Sequence, residues 1–151
     1  MSISKNINVT GLLSYKLKKT QHMLRLHMDE VINPLDLTTP QYSVLAQLEL
    51  YPGISNASLA RASFITAQTM HGIVSNLERR NLVKRKANPH HGRILCTELT
   101  KEGKQLVQKA HSLIQSIEVR MTSTISDKNK ELLEKLLEEG FHNLNSYKSD
   151  E

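Results

Sequence analysis

The chain is poor in the residues that most chemistry requires. It has one cysteine, no tryptophan and only 4% aromatic residues. A lone Cys96 cannot close an intrachain disulfide, which fits a reducing compartment. There is no run of about 18 apolar residues and no charged, apolar, small-residue series at the start. A membrane span and a secretory signal are therefore not expected, and a cytoplasmic protein is. No Gly-rich phosphate loop, nucleophile elbow or metal-ligand pair can be found, so the sequence does not read as an enzyme. Of seven histidines only His90 and His91 adjoin, while His22 and His27 stand five apart and off a common helical face. No closed ligand set emerges, and neither a metal nor a cofactor is expected. Repeats and low-complexity tracts are missing too. At 151 residues and 38% hydrophobic composition the chain can bury one sizeable core.

What is present is positive charge in one place. From Ile54 to Lys101 the chain carries Arg61, Arg79, Arg80, Lys84, Arg85, Lys86, Arg93 and Lys101 against Glu78 and Glu98 alone. The formal net charge of the whole chain is +5, so everything outside this stretch is slightly acidic. Cations gathered on one supersecondary unit are what a phosphate backbone needs for neutralisation.

Hydrophobic spacing and capping residues place this stretch in a mainly helical chain. Leu13, Leu17, Leu24, Met28, Val31 and Leu35 lie on one stripe of a long helix from Leu12 to Ile32, which Asn33-Pro34 ends. Thr38 caps a second helix whose inward residues are Tyr42, Leu45 and Leu48, and Pro52-Gly53 stops it. Ser55 and Thr66 cap two further helices, with Ile54 and Ile65 placed to staple onto Leu59 and Met70. The fourth helix starts at Ala67, buries Met70, Ile73, Val74 and Leu77, and ends near Asn81, a residue that tolerates left-handed backbone. Leu82 to Ala87 and Arg93 to Leu99 flank the turn-rich Asn88-Pro89-His90-His91-Gly92 and read as a hairpin, with Cys96 a buried structural thiol on its second strand. A redox role for Cys96 would need a lowered thiol pKa, toward which Arg93 and His91 are suggestive neighbours. Thr100 caps a fifth helix with the stripe Leu106, Ala110, Leu113, Ile117 and Met121. Ser126 caps a sixth with Leu133, Leu136, Leu137 and Leu144, and Asn145 to Glu151 reads as a fraying end.

Two capped helices, a tight joint and a basic hairpin form the order of a winged helix-turn-helix over residues 37–100. Residues 1–36 and 101–147 form a helical dimerisation region, and 148–151 a frayed tail. The terminal apolar stripes favour self-association, because Leu13 to Leu35 is too long a surface for a small domain to cover alone. A dimer so built would hold its reading helices about 34 Å apart, one turn of double-stranded DNA, and demand a two-fold related site.

Stepping about 100° per residue from the buried line of the fourth helix puts Gln68, Gly72, Ser75 and Arg79 on its outer face, flanked by Thr69, His71 and Asn76. Gln68 can pair bidentately with adenine, and Thr69 offers a hydroxyl or methyl contact. His71, Ser75 and Arg79 face bases or adjacent phosphates. Thr66 is first a cap, with phosphate contact from that helix end secondary. Lys84, Arg85 and Lys86 are placed to hold the DNA backbone, and Arg93 to probe a narrow minor groove. Gly72 is costly in a helix interior, and close approach to DNA would be a reason for it.

At Leu77-Glu78-Arg79-Arg80-Asn81-Leu82-Val83-Lys84-Arg85 and Leu99-Thr100-Lys101-Glu102-Gly103-Lys104-Gln105-Leu106 the chain resembles the MarR family of bacterial transcription regulators, and the likeness covers nearly all of it. The resemblance implies six helices with a small β wing, and a homodimer built from the first, fifth and sixth helices. It implies a pseudo-palindromic operator and a repressor released by a small aromatic or phenolic ligand. It assigns the recognition helix to residues 67–80 and the minor-groove arginine to Arg93. His91 stands where such proteins usually carry an aspartate that orients this arginine, and Asn81 where they usually carry glycine. Two other readings stay open: a winged module that binds protein, and a nonspecific architectural DNA binder.

Overall fold

A computed structural model describes residues 8–146. Among the described residues there are six α-helices: α1 (Leu13–Ile32), α2 (Thr39–Leu50), α3 (Asn56–Ala62), α4 (Ala67–Arg79), α5 (Lys101–Met121) and α6 (Asp127–Ser146). Three short strands, β1 (Ile54–Ser55), β2 (Val83–Ala87) and β3 (Leu95–Leu99), form an antiparallel sheet in the order β1-β3-β2. The chain divides into two compact units, Met1–Ile117 and Glu118–Glu151.

In the first unit the capping residues do what their chemistry dictates. The Thr38 hydroxyl accepts from the Gln41 amide while the Gln41 side chain accepts from the Thr38 amide, a reciprocal box at the start of α2. Ser55 and Thr66 accept from Ser58 N and Thr69 N, at 3.2 Å each. One core results, with Ile32, Val44, Leu45, Leu48, Leu59, Met70, Val74, Leu77 and Val107 all essentially inaccessible. Each such side chain contributes about 1.5–3 kcal/mol by leaving water. The line Met70, Val74 and Leu77 turns one face of α4 inward and leaves the opposite face for solvent.

Both helices of the helix-turn-helix end in the same hydrogen-bond pattern. After α3, Phe64 N donates to Arg61 O and Ile65 N to Ala60 O, with Phe64 at φ 53°. After α4, Asn81 N donates to Glu78 O and Leu82 N to Leu77 O, with Asn81 at φ 55°. This is the Schellman end, whose left-handed residue is usually glycine. Asparagine tolerates that conformation; for a bulky residue it costs on the order of 1–2 kcal/mol.

Beyond Asn81 the chain is pinned to α5. The Thr100 hydroxyl donates to Asn81 O (2.7 Å) and accepts from Gly103 N (3.0 Å), while Thr100 N donates to Leu82 O (3.0 Å). A Cβ on Gly103 would stand 2.0 Å from Leu82 O, so only glycine lets α5 lie this close.

Four details differ from the sequence reading. A third strand exists: Ile54 and Ser55 pair with Thr97 and Cys96, so Ile54 serves the sheet as well as the entry to α3. The second hairpin strand begins at Leu95, because Asn88 N donates to Ile94 O and Ile94 N to His91 O, which draws Arg93 and Ile94 into the tip. The buried line of α5 runs through Gly103, Val107, Ala110 and Ile117, with Leu106 only partly covered and Met121 42% exposed. Finally, α6 continues through Asn145 and Ser146, where the Ser146 hydroxyl donates to His142 O, and the rest of the expected fraying end, 148–151 included, lies outside the described residues.

The second unit carries α6 with no buried residue, its Leu133, Leu136, Leu137, Phe141 and Leu144 all exposed. In the first unit, α1 likewise leaves Leu13, Leu17 and Leu26 open.

Candidate nucleic-acid interface

The N-terminal half of α4 presents the expected side chains. Gln68, Thr69, His71 and Gly72 are exposed, as is Arg79 at the far end, and nothing lies within 4 Å of where a Gly72 side chain would start. The Thr66 hydroxyl, besides capping, donates to Thr69 Oγ1 at 2.9 Å, which holds the Thr69 side chain at the tip of the helix. Ser75 is half-buried, farther from the outer line than its neighbours. Asn76 turns inward and accepts from Gln41 Nε2 (3.1 Å), a brace between α2 and α4.

In the wing, base and tip differ. β2 and β3 pair Lys84 with Glu98, and Glu98 Oε2 lies 3.7 Å from Lys84 Nζ and 3.0 Å from Lys86 Nζ. Lys86, followed by Lys84, holds the Glu98 carboxyl below the usual carboxylate range. Arg85, on the other side of the strand, donates through Nε (2.8 Å) and Nη2 to Glu78 Oε2 at the end of α4, which lowers the Glu78 pKa in turn. The three cations at the base are thus partly neutralised from within. Arg93, at the tip, is exposed and makes no side-chain hydrogen bond or ion pair among the described residues.

The sequence and the fold have counterparts in known proteins. The MarR family model matches residues 35–94. The HTH-type transcriptional repressor Rv2887 of Mycobacterium tuberculosis is 30% identical over 126 residues, which are 83% of this chain and 91% of that one. The chain belongs to the MarR family. Among solved structures, the transcriptional repressor CouR bound to a 23-mer DNA duplex superposes with a TM-score of 0.80 at 28% identity, over 90% of this chain and 96% of that one. Rv2887 in complex with salicylic acid superposes with a TM-score of 0.70 at 30% identity, over 85% and 95% of the two chains.

Where this MarR-family chain departs from the expected pattern, the tip is organised by another residue. Asn88 Oδ1 accepts from His90 N (2.8 Å) and His91 N (3.3 Å), so the turn is shaped from its first residue. At the other departure, Asn81 takes the left-handed conformation that glycine would.

Three groups escaped the sequence reading. Arg80 donates to Asp36 O (2.7 Å) and Leu35 O (3.5 Å), tying the end of α4 to the loop before α2. Tyr42 on α2 shares a 2.9 Å hydrogen bond with His111 Nδ1 on α5, and His111 Nε2 meets Glu49 Oε2 at 2.8 Å. Gln108 donates to the other Glu49 oxygen, and the His111 bond keeps the Glu49 carboxyl below its ordinary value. Spacings of 62 and 69 residues conceal this network from any local pattern. Phe64, in the turn before α4, is 82% exposed. Gly103 was visible only as part of a family motif. Among the described residues no group of three or more metal-ligating side chains is found, and Cys96 is buried. No helix there is long and apolar enough to cross a membrane.

Proposed function

We propose that the protein is a transcription repressor that binds a pseudo-palindromic operator in double-stranded DNA as a homodimer and is released by a small aromatic acid. The observation that carries this reading is the pairing, on one folded unit, of the open N-terminal face of α4 with a wing tip whose Arg93 has no side-chain hydrogen bond or ion pair among the described residues. Gln68 and Thr69 read base edges, His71, Ser75 and Arg79 meet bases or adjacent phosphates, and the amides beside Thr66 accept a phosphate. Lys84, Arg85 and Lys86 hold the backbone, and Arg93 enters the minor groove. Support for DNA as partner comes from CouR, solved on a duplex, and for an aromatic acid from Rv2887, solved with salicylic acid.

Dimerisation is supported by the apolar residues that α1 and α6 each leave exposed. Residues 1–36 and 101–147 supply the dimer contacts and 37–100 the DNA contacts. The protein works in the cytoplasm and catalyses no reaction.

Footprinting of the purified protein on fragments of its own genome tests the reading, repeated across salt and with added salicylate. Protection of a two-fold related site, with log affinity falling linearly in log salt and protection lost on adding the acid, is the expected result. Equal retention of all fragments would instead favour an architectural binder. No retention at moderate ionic strength, with a monomer at micromolar concentration, would leave only the protein-binding module.

A further inference from the structure

Two ties hold the C-terminal end of α4, and both lead to the start of α2. Gln41 Nε2 donates to Asn76 Oδ1 (3.1 Å), while the Arg80 guanidinium donates to Asp36 O (2.7 Å) and Leu35 O (3.5 Å) in the loop before that helix. Gln41 is itself fixed, because its Oε1 accepts from Thr38 N (3.0 Å) in the capping box. Thr39, the next residue after the cap, gives both its amide (2.8 Å) and its hydroxyl (2.6 Å) to Asp29 Oδ1 on α1. A continuous path from Asp29 through Thr39, Thr38 and Gln41 to Asn76 thus joins α1 to α4 within the first unit. The packing of Met70, Val74 and Leu77 holds α4 against the core but is non-directional, whereas hydrogen bonds depend steeply on angle. Gln68 stands about two turns from Asn76, roughly 12 Å along the axis, so a tilt of about 5° at the tie moves it by about 1 Å. A shift of that size spoils a hydrogen bond to a base edge.

We propose that Asn76 is a positioning residue for DNA reading: through Gln41, Thr38 and the Thr39–Asp29 contact it fixes the tilt of α4 against α1, and so aims Gln68 and Thr69 at base edges. The inference rests on the DNA-binding reading above, in which α1 belongs to the dimer and α4 to the operator. Phosphate contacts tolerate a small tilt, since a lysine on its flexible stem can follow a charged oxygen, but a bidentate pair with adenine does not. Asn76 therefore acts on the difference between operator and random DNA, and contributes no charge of its own. For a dimer the consequence is that both reading helices keep one orientation to a shared frame, as a two-fold related site demands.

Asn76→Ala tests this with the capping box intact. Alanine is the better helix former and offsets the lost hydrogen bond, so the urea midpoint should stay near that of wild type. The ratio of dissociation constants on random DNA and on a genomic fragment that the wild type protects should fall about tenfold, the worth of one good base contact, with the salt slope unchanged. Asn76→Asp still accepts from Gln41 Nε2, and its added negative charge weakens binding to both DNAs alike, so this variant should keep the wild-type ratio. Asp29→Ala, at the other end of the path, should lower the ratio as well. The double variant Asp29→Ala/Asn76→Ala, measured like the others where it is fully folded, should fall no further than the lower single. A wild-type ratio in Asn76→Ala overturns the inference and leaves the DNA reading in place. So does an equal loss on both DNAs, or a ratio equally reduced in Asn76→Asp, either of which would make the amide a DNA contact. Additive losses in the double variant would overturn the link through α2, and the proposal with it. A wild-type protein that favours no fragment over random DNA removes both this inference and the reading on which it rests.

Discussion

Gly103 and Gly72 mark two regions that use the same residue for opposite purposes. Where α5 meets Leu82, a single added carbon would stand 2.0 Å from a carbonyl oxygen. On the outer face of α4, the same carbon would meet nothing within 4 Å. The first glycine is explained entirely by the protein's own packing. The second weakens a helix by about 1 kcal/mol against alanine and returns nothing to the isolated chain. The contrast separates positions that serve the fold from positions that make sense only with a partner present. Substitutions at the seam should therefore show in the folded state, and substitutions on the outer face in binding.

The largest effect is expected at the seam. Gly103→Ala must push α5 away from Leu82 and disturb the Thr100 hydrogen bonds to Asn81 O and Gly103 N, at a cost on the order of 3 kcal/mol. Urea denaturation should show a midpoint far below wild type, and DNA binding should fall only as the folded fraction falls. An unchanged midpoint would mean that the seam is looser than its geometry indicates.

At Gln68 on the outer face and at Arg93 on the wing tip the effects should appear in affinity with stability untouched. Gln68→Ala should cost about 1–3 kcal/mol on the operator and little on random DNA, measured as the ratio of the two dissociation constants. Equal losses on both would remove Gln68 from base reading. Arg93→Ala comes next: with no side-chain partner to lose among the described residues, it should leave the midpoint in urea unchanged and flatten the plot of log affinity against log salt by about one unit.

How much of this contrast could be read from the sequence depends on how far apart the partners lie. Caps such as Thr66 act on an amide three residues away, and the end of α4 at Asn81 follows from a residue that tolerates left-handed backbone, so both were legible. The outward line of Gln68, Gly72 and Arg79 followed from helical period alone. β1 was hidden because two residues cannot show alternation and are strand only by pairing with Thr97 and Cys96. The neutralisation of the wing base was hidden because it depends on the register that sets Lys84 against Glu98. Phe64 was hidden for the opposite reason: residue preference argues against the conformation that it adopts.

Gly72→Ala joins the two regions in one measurement. With open space around it, the added methyl should stabilise the fold by about 1 kcal/mol, seen as a higher midpoint in urea. If α4 lies close against DNA at this point, operator affinity should fall in the same variant. A rise in stability with affinity unchanged would return Gly72 to the class of tolerated weak spots and place the closest approach nearer Gln68.

The smallest effect concerns the wing base, where Glu98 is shared by Lys84 and Lys86. Its folded pKa is depressed, so its contribution to stability is complete above the ordinary carboxylate value of 4.5 and is lost as pH falls through the lower folded value. The groups are largely exposed and the pairing is weak in water, so the acid limb should move only slightly. Glu98→Gln at neutral pH removes the same charge without acid. Lys84 and Lys86 are then free for phosphate, and affinity for operator and random DNA alike should rise by a few tenths of a kcal/mol, with a steeper salt dependence. A drop in affinity instead would mean that Glu98 orients the lysines toward the backbone, and that the wing base, like the Gly103 seam, is arranged by the protein before DNA arrives.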